Sequence, residues 1–332
     1  KHLEQRRAKR VNNTVAANGS KSFVKKNSSL ILCIILIVIL FVMGNAITGG
    51  QFASVGSTVK FAALIAIFGL GQMLIICTGG DIDLSVGYTA TLVSCVTAGM
   101  MDGSNMNIWK AILFALMVGV VVGLVNGFMT IYARIPSLVV TLAMSQILQG
   151  IVDIYSAGAS IGGEPSPCLK WLAGQQTGPI PNIGFLLAIM TVAVMWLLYK
   201  TKLSSLYVAT GANPRTAHLS GVKVNFIRMS SFVVCSIIAA MMGLILLGNL
   251  GMAFKDMAST YVMPSIAAVV IGGVSIKGGQ RNYIGVILGA IVLQTLTNLF
   301  VALGYGDSGK YLGSGIILLL MLIVYVREKT SR

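Results

Sequence analysis

The chain is expected to be an all-α polytopic membrane protein, and three observations lead there. Apolar runs of about 17 to 25 residues recur from Leu30 to Tyr325, the length a helix needs to cross roughly 30 Å of hydrocarbon. Of the 332 residues, 56% are hydrophobic and only 10% charged, where soluble domains carry about a quarter charged residues. Strand-type alternation is absent, so the spans are helices and not the staves of a barrel.

Residues 1–27 stand apart from the rest. They carry Lys1, Arg6, Arg7, Lys9, Arg10, Lys21, Lys25 and Lys26 against a single Glu4, with no apolar periodicity, so a disordered tail is expected. No small-residue cleavage site follows the first span, which reads as retained and not as a signal peptide. Lys and Arg flanking a span hold it on the cytoplasmic side, so the tail sets the topology. The net charge of +15 is therefore a membrane-edge pattern, and a nucleic-acid partner is not expected. Residues 28–332 read as one transmembrane domain.

With the tail inside, span one covers about Leu30–Ile47 and leads out to an uncharged Gly/Ser-rich loop. Span two, about Thr58–Cys77, returns to Gly79-Gly80-Asp81-Ile82-Asp83-Leu84-Ser85-Val86-Gly87. Span three runs about Leu84–Met101, span four about Ile108–Ile131, and span five about Ser137–Ile154 after Ile135-Pro136. An outer loop at about 156–182 holds four of the seven prolines. Span six, about Ile183–Tyr199, delivers the chain to a polar interval at about 200–228. Span seven is about Met229–Leu250. Tyr261–Gly273, interrupted by Pro264, makes a short or broken span eight. Span nine covers about Tyr283–Leu303 and span ten about Tyr311–Tyr325, leaving Arg327, Lys329 and Arg332 inside with the N terminus.

Charge supports the ten-span order. It leaves only Lys60, Lys110, Lys170, Lys255 and Lys310 of the 24 Lys and Arg residues outside or at the outer edge, as the positive-inside rule requires. Gly119 and Gly123 in span four, and Gly285 and Gly289 in span nine, give each a small-residue face for close helix approach. If spans two to five and seven to ten form an inverted pair, these two spans correspond.

The polar interval centres on Gly211-Ala212-Asn213-Pro214-Arg215-Thr216-Ala217-His218-Leu219-Ser220-Gly221. Asn213 or Gly211 can cap a short helix, Pro214 suits its first position, and Gly221 stops it. Two turns are too short to be stable alone, so this helix must dock on something. Asp81 and Asp83 lie at a membrane-embedded helix break, where a carboxylate needs pairing, capping or water. Asp83 reads as a cap for span three, accepting from amides around Ser85 and Val86, and the alternative makes Asp81 and Asp83 part of a gate or of the translocation path. Asn126, Thr141, Gln146, Gln149, Asp153, Asn249, Gln294 and Asn298 are polar residues inside spans. They face the bundle interior, either bonding a neighbouring helix or lining a cavity. All but Asp153 are amides and hydroxyls, which would suit a neutral polyhydroxylated solute, and no array of intramembrane carboxylates suggests ion coupling. Gly304-Tyr-Gly-Asp-Ser-Gly309-Lys310 imitates a phosphate-binding loop but is followed by Tyr311, so it reads as a turn. Four of the five cysteines lie in apolar spans and Cys168 stands alone, so neither a disulfide framework nor a metal site is indicated.

These motifs together resemble a known family. Gly80-Asp81-Ile82-Asp83-Leu84-Ser85-Val86-Gly87 resembles the GIDLSVG signature of the ribose-type permeases of bacterial ABC importers. Ile135-Pro136 through Thr141-Leu142 resembles their PxFxxTL segment, and residues 211–222 resemble their GxNxxAAxxSGI loop. Residues 266–279 resemble IAAVVLGGTSLxGG. The resemblance implies a cobalamin-importer-like (type II) fold of about ten helices with an inverted repeat, in the bacterial inner membrane. It implies a second permease, identical or paralogous, together with ATPase subunits and an extracytoplasmic solute-binding protein. ATP and Mg would belong to the ATPase, with no cofactor on this chain. Gly211, Asn213, Pro214, Arg215, Thr216, Ala217, His218, Leu219, Ser220 and Gly221 would form the coupling helix. Asp81, and Val262-Met263-Pro264-Ser265 where relatives often carry ELDA, depart from the ribose pattern and leave the solute open.

The expected function is thus the permease subunit of an importer for a monosaccharide or similar small polar solute. A nucleoside or furanosyl signal molecule is the alternative solute, and a secondary transporter or channel the alternative class. Asn126, Thr141, Gln146, Gln149, Asn249, Gln294 and Asn298 are the candidates for its path. The topology predicts that single cysteines at Asn107 and Gln175 react with an impermeant thiol reagent from outside, and those at Thr216 and Lys277 do not. Outside labelling at Thr216 would overturn the ten-span order.

Overall fold

A computed structural model describes residues 28–50, 52–157, 161–178, 180–306 and 315. The basic tail, span ten, residues 307–310 of the turn and the C-terminal cations lie outside these residues. The architecture is helical: α1 Ser28–Thr48, α2 Val55–Gly79, α3 Val86–Met101, α4 Ile108–Ile131, α5 Ser137–Ser156 and α6 Asn182–Lys200 follow one another. Then come α7 Lys202–Ala212, α8 Pro214–Leu219, α9 Val224–Leu250, α10 Val262–Ile271 and α11 Tyr283–Phe300. Among the described residues, six helices are long and apolar enough to cross a membrane (α1, α2, α4, α5, α9 and α11), and three apolar helices are shorter.

α2 is the axis of the domain. It is apolar on every side, and 94% of its most apolar stretch is buried, against 11% for α1. A helix without a polar stripe has no reason to sit at a surface facing water, and this one is wrapped by protein. Ser54 caps its start by accepting from the Ser57 amide at 3.1 Å. Gly80, at φ +72°, ends it in the left-handed conformation, its amide bonded to Ile76 O at 2.8 Å. α9 lies against α2, α3 and α4, and α2 in turn against α9, α10 and α11.

Small residues set the closest crossings. Gly119, Gly123 and Gly127 repeat every four residues on one face of α4. A Cβ at Gly119 would lie 2.7 Å from Ile237 Cα, and one at Gly123 2.5 Å from Val233 Cα. The α4 and α9 backbones therefore touch. In α11, Gly285 and Gly289 face the Gly272 and Ala268 carbonyls of the α10 region with no room for a Cβ.

Several boundaries differ from the sequence expectation. α3 starts at Val86 and not at Leu84, because Asp83 and Ser85 are taken up in a hydrogen-bonded turn. α9 starts at Val224, ahead of the expected Met229, since its polar first turns are held by tertiary partners and need no apolar run. Residues 202–212, expected as part of the polar interval at about 200–228, form α7, which buries Ser204, Tyr207 and Thr210. Gly211 sits within α7 and is not the cap of the next helix. α10 is short, and Pro264 falls in its first turn, where a missing N–H costs nothing. The segments preceding α3 and α10 are both irregular, as is the Gly304–Gly306 turn, with φ +86° and +54° at its glycines.

The loop after α5 folds back over the helix ends. A turn at Pro167–Leu169 is capped by Ser166, a short ladder pairs Gln176 with Pro181, and Lys60 donates to Gly174 O at 3.2 Å. Lys170 bonds Glu164 at 2.6 Å and holds that exposed carboxyl below the usual carboxylate range. The crossing of α4 and α9 predicts that Gly123→Val destabilises the protein by about 1–3 kcal/mol through overpacking. Thermal unfolding of the purified protein in detergent should register this, whereas Gly150→Ala, where a Cβ meets nothing within 4 Å, should be neutral.

Candidate functional site

Three sequence motifs converge on the C-terminal end of α2. Gly279 N–H donates to Cys77 O at 2.8 Å. Gly211 of α7 is pressed against the same carbonyl, leaving no space for a Cβ. A Cβ at Gly279 would lie 2.8 Å from Ala212 Cα, and one at Gly80 2.5 Å from Ile276 O. The glycines of the signature, of the 211–221 loop and of the 266–279 segment are thus one contact, made backbone to backbone. Side-chain bonds reinforce it: Tyr207 Oη pairs with Ser230 Oγ of α9 at 3.0 Å, and Arg281 donates to Ser204 of α7.

α8 stands on this junction with both ends closed. Asn213 Oδ1 accepts from the Thr216 amide at 3.0 Å, and Pro214 takes the first helical position. At the other end Gly221 adopts φ +84°; its amide bonds His218 O at 2.9 Å and the Val222 amide bonds Ala217 O at 3.0 Å. This pair of bonds is a Schellman motif, which needs a residue tolerant of the left-handed region. Only Ala217 of α8 is buried; Arg215 and His218 are exposed, and Leu219 is 80% exposed. Arg215, His218, Lys223, Phe226 and Tyr132 border a groove of about 530 Å³ beside the helix. A two-turn helix so fully capped is held in one place while it offers a cation and an apolar side chain outward.

The signature turn adjoins this junction. Asp81 pairs with Arg228 in the first turns of α9 at 2.5 Å. Residues 147 apart in sequence meet here, and only an excess cation just before span seven could have hinted at it. Asp83 is fully buried. Its Oδ1 accepts from the Ser85 amide at 2.8 Å and from Ser85 Oγ at 2.6 Å, so it ties the turn before α3, although the Val86 amide is not engaged. Gln72 of α2 brackets the Asp83 backbone, Nε2 donating to Asp83 O at 2.5 Å and Oε1 accepting from Asp83 N at 3.3 Å. Asn126 of α4 donates to Ser85 Oγ at 2.9 Å, and Ser236 of α9 reaches Asp83 Oδ2 at 3.4 Å. The knot joins α2, the break, α4 and α9. Gln72 was the member that sequence reading passed over, although it is a lone amide in an apolar run.

The other candidate path residues separate. Thr141 is buried and donates to Ser137 O at 2.9 Å and to Ile82 O at 3.4 Å, beside the same break. Gln294 donates to Asn298 one turn on within α11, and Asn298 donates to Thr58 of α2 at 3.0 Å, tying α11 to α2. Asn249 lies in the last turn of α9, with a buried carbonyl oxygen that has no partner. Gln146 is exposed and Gln149 half-buried on α5. No cluster of metal-ligating residues occurs among the described residues.

Residues 54–325 match the family described as branched-chain amino acid transport system / permease component. The chain is similar to the ribose import permease protein of Escherichia coli (strain K12), with 28% identity over 309 residues, covering 92% of this chain and 95% of the relative. It is also similar to the autoinducer 2 import system permease protein of Yersinia pestis (strain Pestoides F), with 31% identity over 292 residues, 87% of this chain and 82% of the relative. No solved structure matches it.

The knot makes a prediction. Asp83→Asn keeps an acceptor oxygen for Ser85 and should be mild. Asp83→Leu strands the Ser85 amide and hydroxyl in the core and should lower stability by about 2–6 kcal/mol, at about 1–3 kcal/mol for each of the two unsatisfied buried groups. Thermal unfolding and transport assays on both variants separate the roles. A full transport defect in a well-folded Asp83→Asn protein would mean that the charge itself is required.

Proposed function

The chain belongs to the family of branched-chain amino acid transport system permease components, and from that premise we propose that it is the transmembrane subunit of an ATP-driven importer for a monosaccharide or a comparably small polar signal molecule. The observation that carries the reading is α8. It is capped at both ends, packs against α7 and α9 next to the Cys77 junction, and presents Arg215, His218 and an exposed Leu219 away from the domain. An apolar side chain left outside on so rigid a mount suits a partner surface. That partner is an ATPase subunit whose closure pushes on α8. The push passes through the Cys77 junction to α2 and, through Arg228 and Asp81, to the break before α3. ATP and Mg are bound by the ATPase, and this chain contributes the path.

The solute class rests on the relatives named for ribose and autoinducer 2 import, which align over most of both chains. A binding protein delivering the solute and a second permease subunit complete the assembly, in a bacterial inner membrane with both termini inside.

A ten-span, type II arrangement with an inverted repeat has its own support. α9 packs on α2, α3 and α4, and α2 packs on α9, α10 and α11. Shifting the chain by five spans maps the first set of contacts onto the second, and an odd shift reverses direction across the bilayer. Both central helices end in a left-handed glycine, Gly80 and Gly251, followed by an irregular segment and a short helix.

The coupling reading predicts the behaviour of two substitutions. Arg215→Glu and Leu219→Asp should leave folding and insertion intact, since neither side chain is buried, yet loosen the ATPase and abolish uptake. Arg215 offers charge-assisted bonds and Leu219 fills an apolar notch. The measurement uses vesicles with ATPase and loaded binding protein, following ATP hydrolysis and solute entry together. Undiminished uptake in the double variant would return α8 to the status of a connector.

A further inference from the structure

The starts of α3 and α10 lie deep in the domain. Tyr261, just before α10, stacks on Phe68 with ring centroids 5.9 Å apart, and Phe68 is one residue past the middle of the membrane-length helix α2. A Cβ on Gly87, at the start of α3, would lie 2.5 Å from Val262 and 3.2 Å from Ser259. Both helix starts therefore sit near the level at which α2 is halfway across, about 15–20 Å from either of its ends at 1.5 Å per residue. Transporter sites form at such a depth, where broken helices meet.

Four polar side chains gather on this level and outward along α5, and none takes part in the Asp83 knot or the α8 junction. Tyr88 of α3 donates to Asp256 Oδ1 at 2.5 Å, and Lys255 pairs with Asp153 of α5 at 2.7 Å. Lys255 and Asp256 belong to the irregular segment between α9 and α10. They are not core groups: the side chains of Lys255 and Asp153 are 39% and 51% exposed, and Asp256 is exposed as well. Gln146, Gln149 and Asp153 recur at three- and four-residue spacing, so they share one face of α5. Tyr88 and Asp256 adjoin the mid-level contact of Gly87, whereas Asp153 in the last turn of α5 marks the outer end of the same open face; a carboxylate on such a face is costly against hydrocarbon and stable against water or a polar solute.

We infer that Tyr88, Asp153, Lys255 and Asp256, continued along α5 by Gln149 and Gln146, form the solute-contacting wall of the translocation path and take an uncharged polyhydroxylated solute. The two carboxylates accept from hydroxyl groups, the ammonium and amides donate, and the phenol adds a flat apolar surface. Lys255 balances one of the two carboxylates, so the wall keeps one net negative charge and disfavours phosphorylated solutes. The solute class rests on the import reading above, whereas the wall itself rests on depth and exposure.

The test uses the assembled importer in proteoliposomes, with Cys33, Cys77, Cys95, Cys168 and Cys235 replaced by alanine. Cysteines at Gln146 and Gln149 should react with the impermeant reagent methanethiosulfonate ethyltrimethylammonium at least tenfold faster than one at Ile189, which is 69% exposed on apolar α6. Asp153→Asn and Asp256→Asn should each cut uptake of labelled D-ribose at least tenfold while ATP hydrolysis stimulated by the binding protein stays within twofold. Tyr88→Phe, which keeps the ring, guards against a folding defect and should lower uptake in the same direction. Slow labelling at both glutamine positions overturns the wall. Fast labelling with unchanged ribose uptake in all three variants overturns its contact role. Fast labelling in an importer that moves no ribose even as wild type supports the wall and counts against the sugar class alone.

Discussion

Gln72 holds both backbone groups of Asp83, and the rest of the domain depends on that clasp. A helix break inside hydrocarbon strands amides and carbonyls that water cannot reach. Here the chain stops being helical at Gly80 and resumes at Val86. The intervening turn is satisfied from three sides, by Gln72 of α2, by the Asp83 carboxylate itself and by Ser236 of α9. With the turn held, α3 starts inside the protein, and room opens beside it for the segment that descends from α9 to α10.

The packing around the clasp follows membrane logic. Apolar side chains gain little by leaving lipid for one another, so close approach of backbones and buried polar bonds do the selecting. The glycine ridge of α4 on α9 supplies the first, and the Asn126–Ser85 and Asn298–Thr58 bonds supply the second. This explains why Asn126 and Asn298, amides that looked like path residues, are structural ties. It also sets apart the polar face of α5, whose Gln146 is exposed and whose Asp153 pairs only with the half-exposed Lys255.

The two ends of the signature turn point to different tasks. Asp81 reaches the half-buried Arg228 at the base of α9, close to α8 and the glycine junction, whereas Asp83 lies fully buried among the spans. One short turn thus connects the surface that an ATPase would push to the helices that would open a path. The connection is stiff: it runs through Cys77 O, Gly279 and Gly211, where no side chain can give.

The sequence by itself determined the class, the order of the described spans within a few residues, and the shape of α8, because these are local. Apolar run length sets a span, and Asn213, Pro214 and Gly221 cap a helix whatever surrounds it. It determined the polar residues worth naming but not their use, since an amide that ties two helices and one that lines a path are the same residue type at the same spacing. Only the tertiary structure decided that Gly211 packs inside α7 and does not cap α8, that Arg228 answers Asp81, and that Tyr88 and Asp153 meet the Lys255-Asp256 pair. Each of those depends on chain crossings between residues from about 65 to 170 positions apart, and no local pattern records where two helices cross.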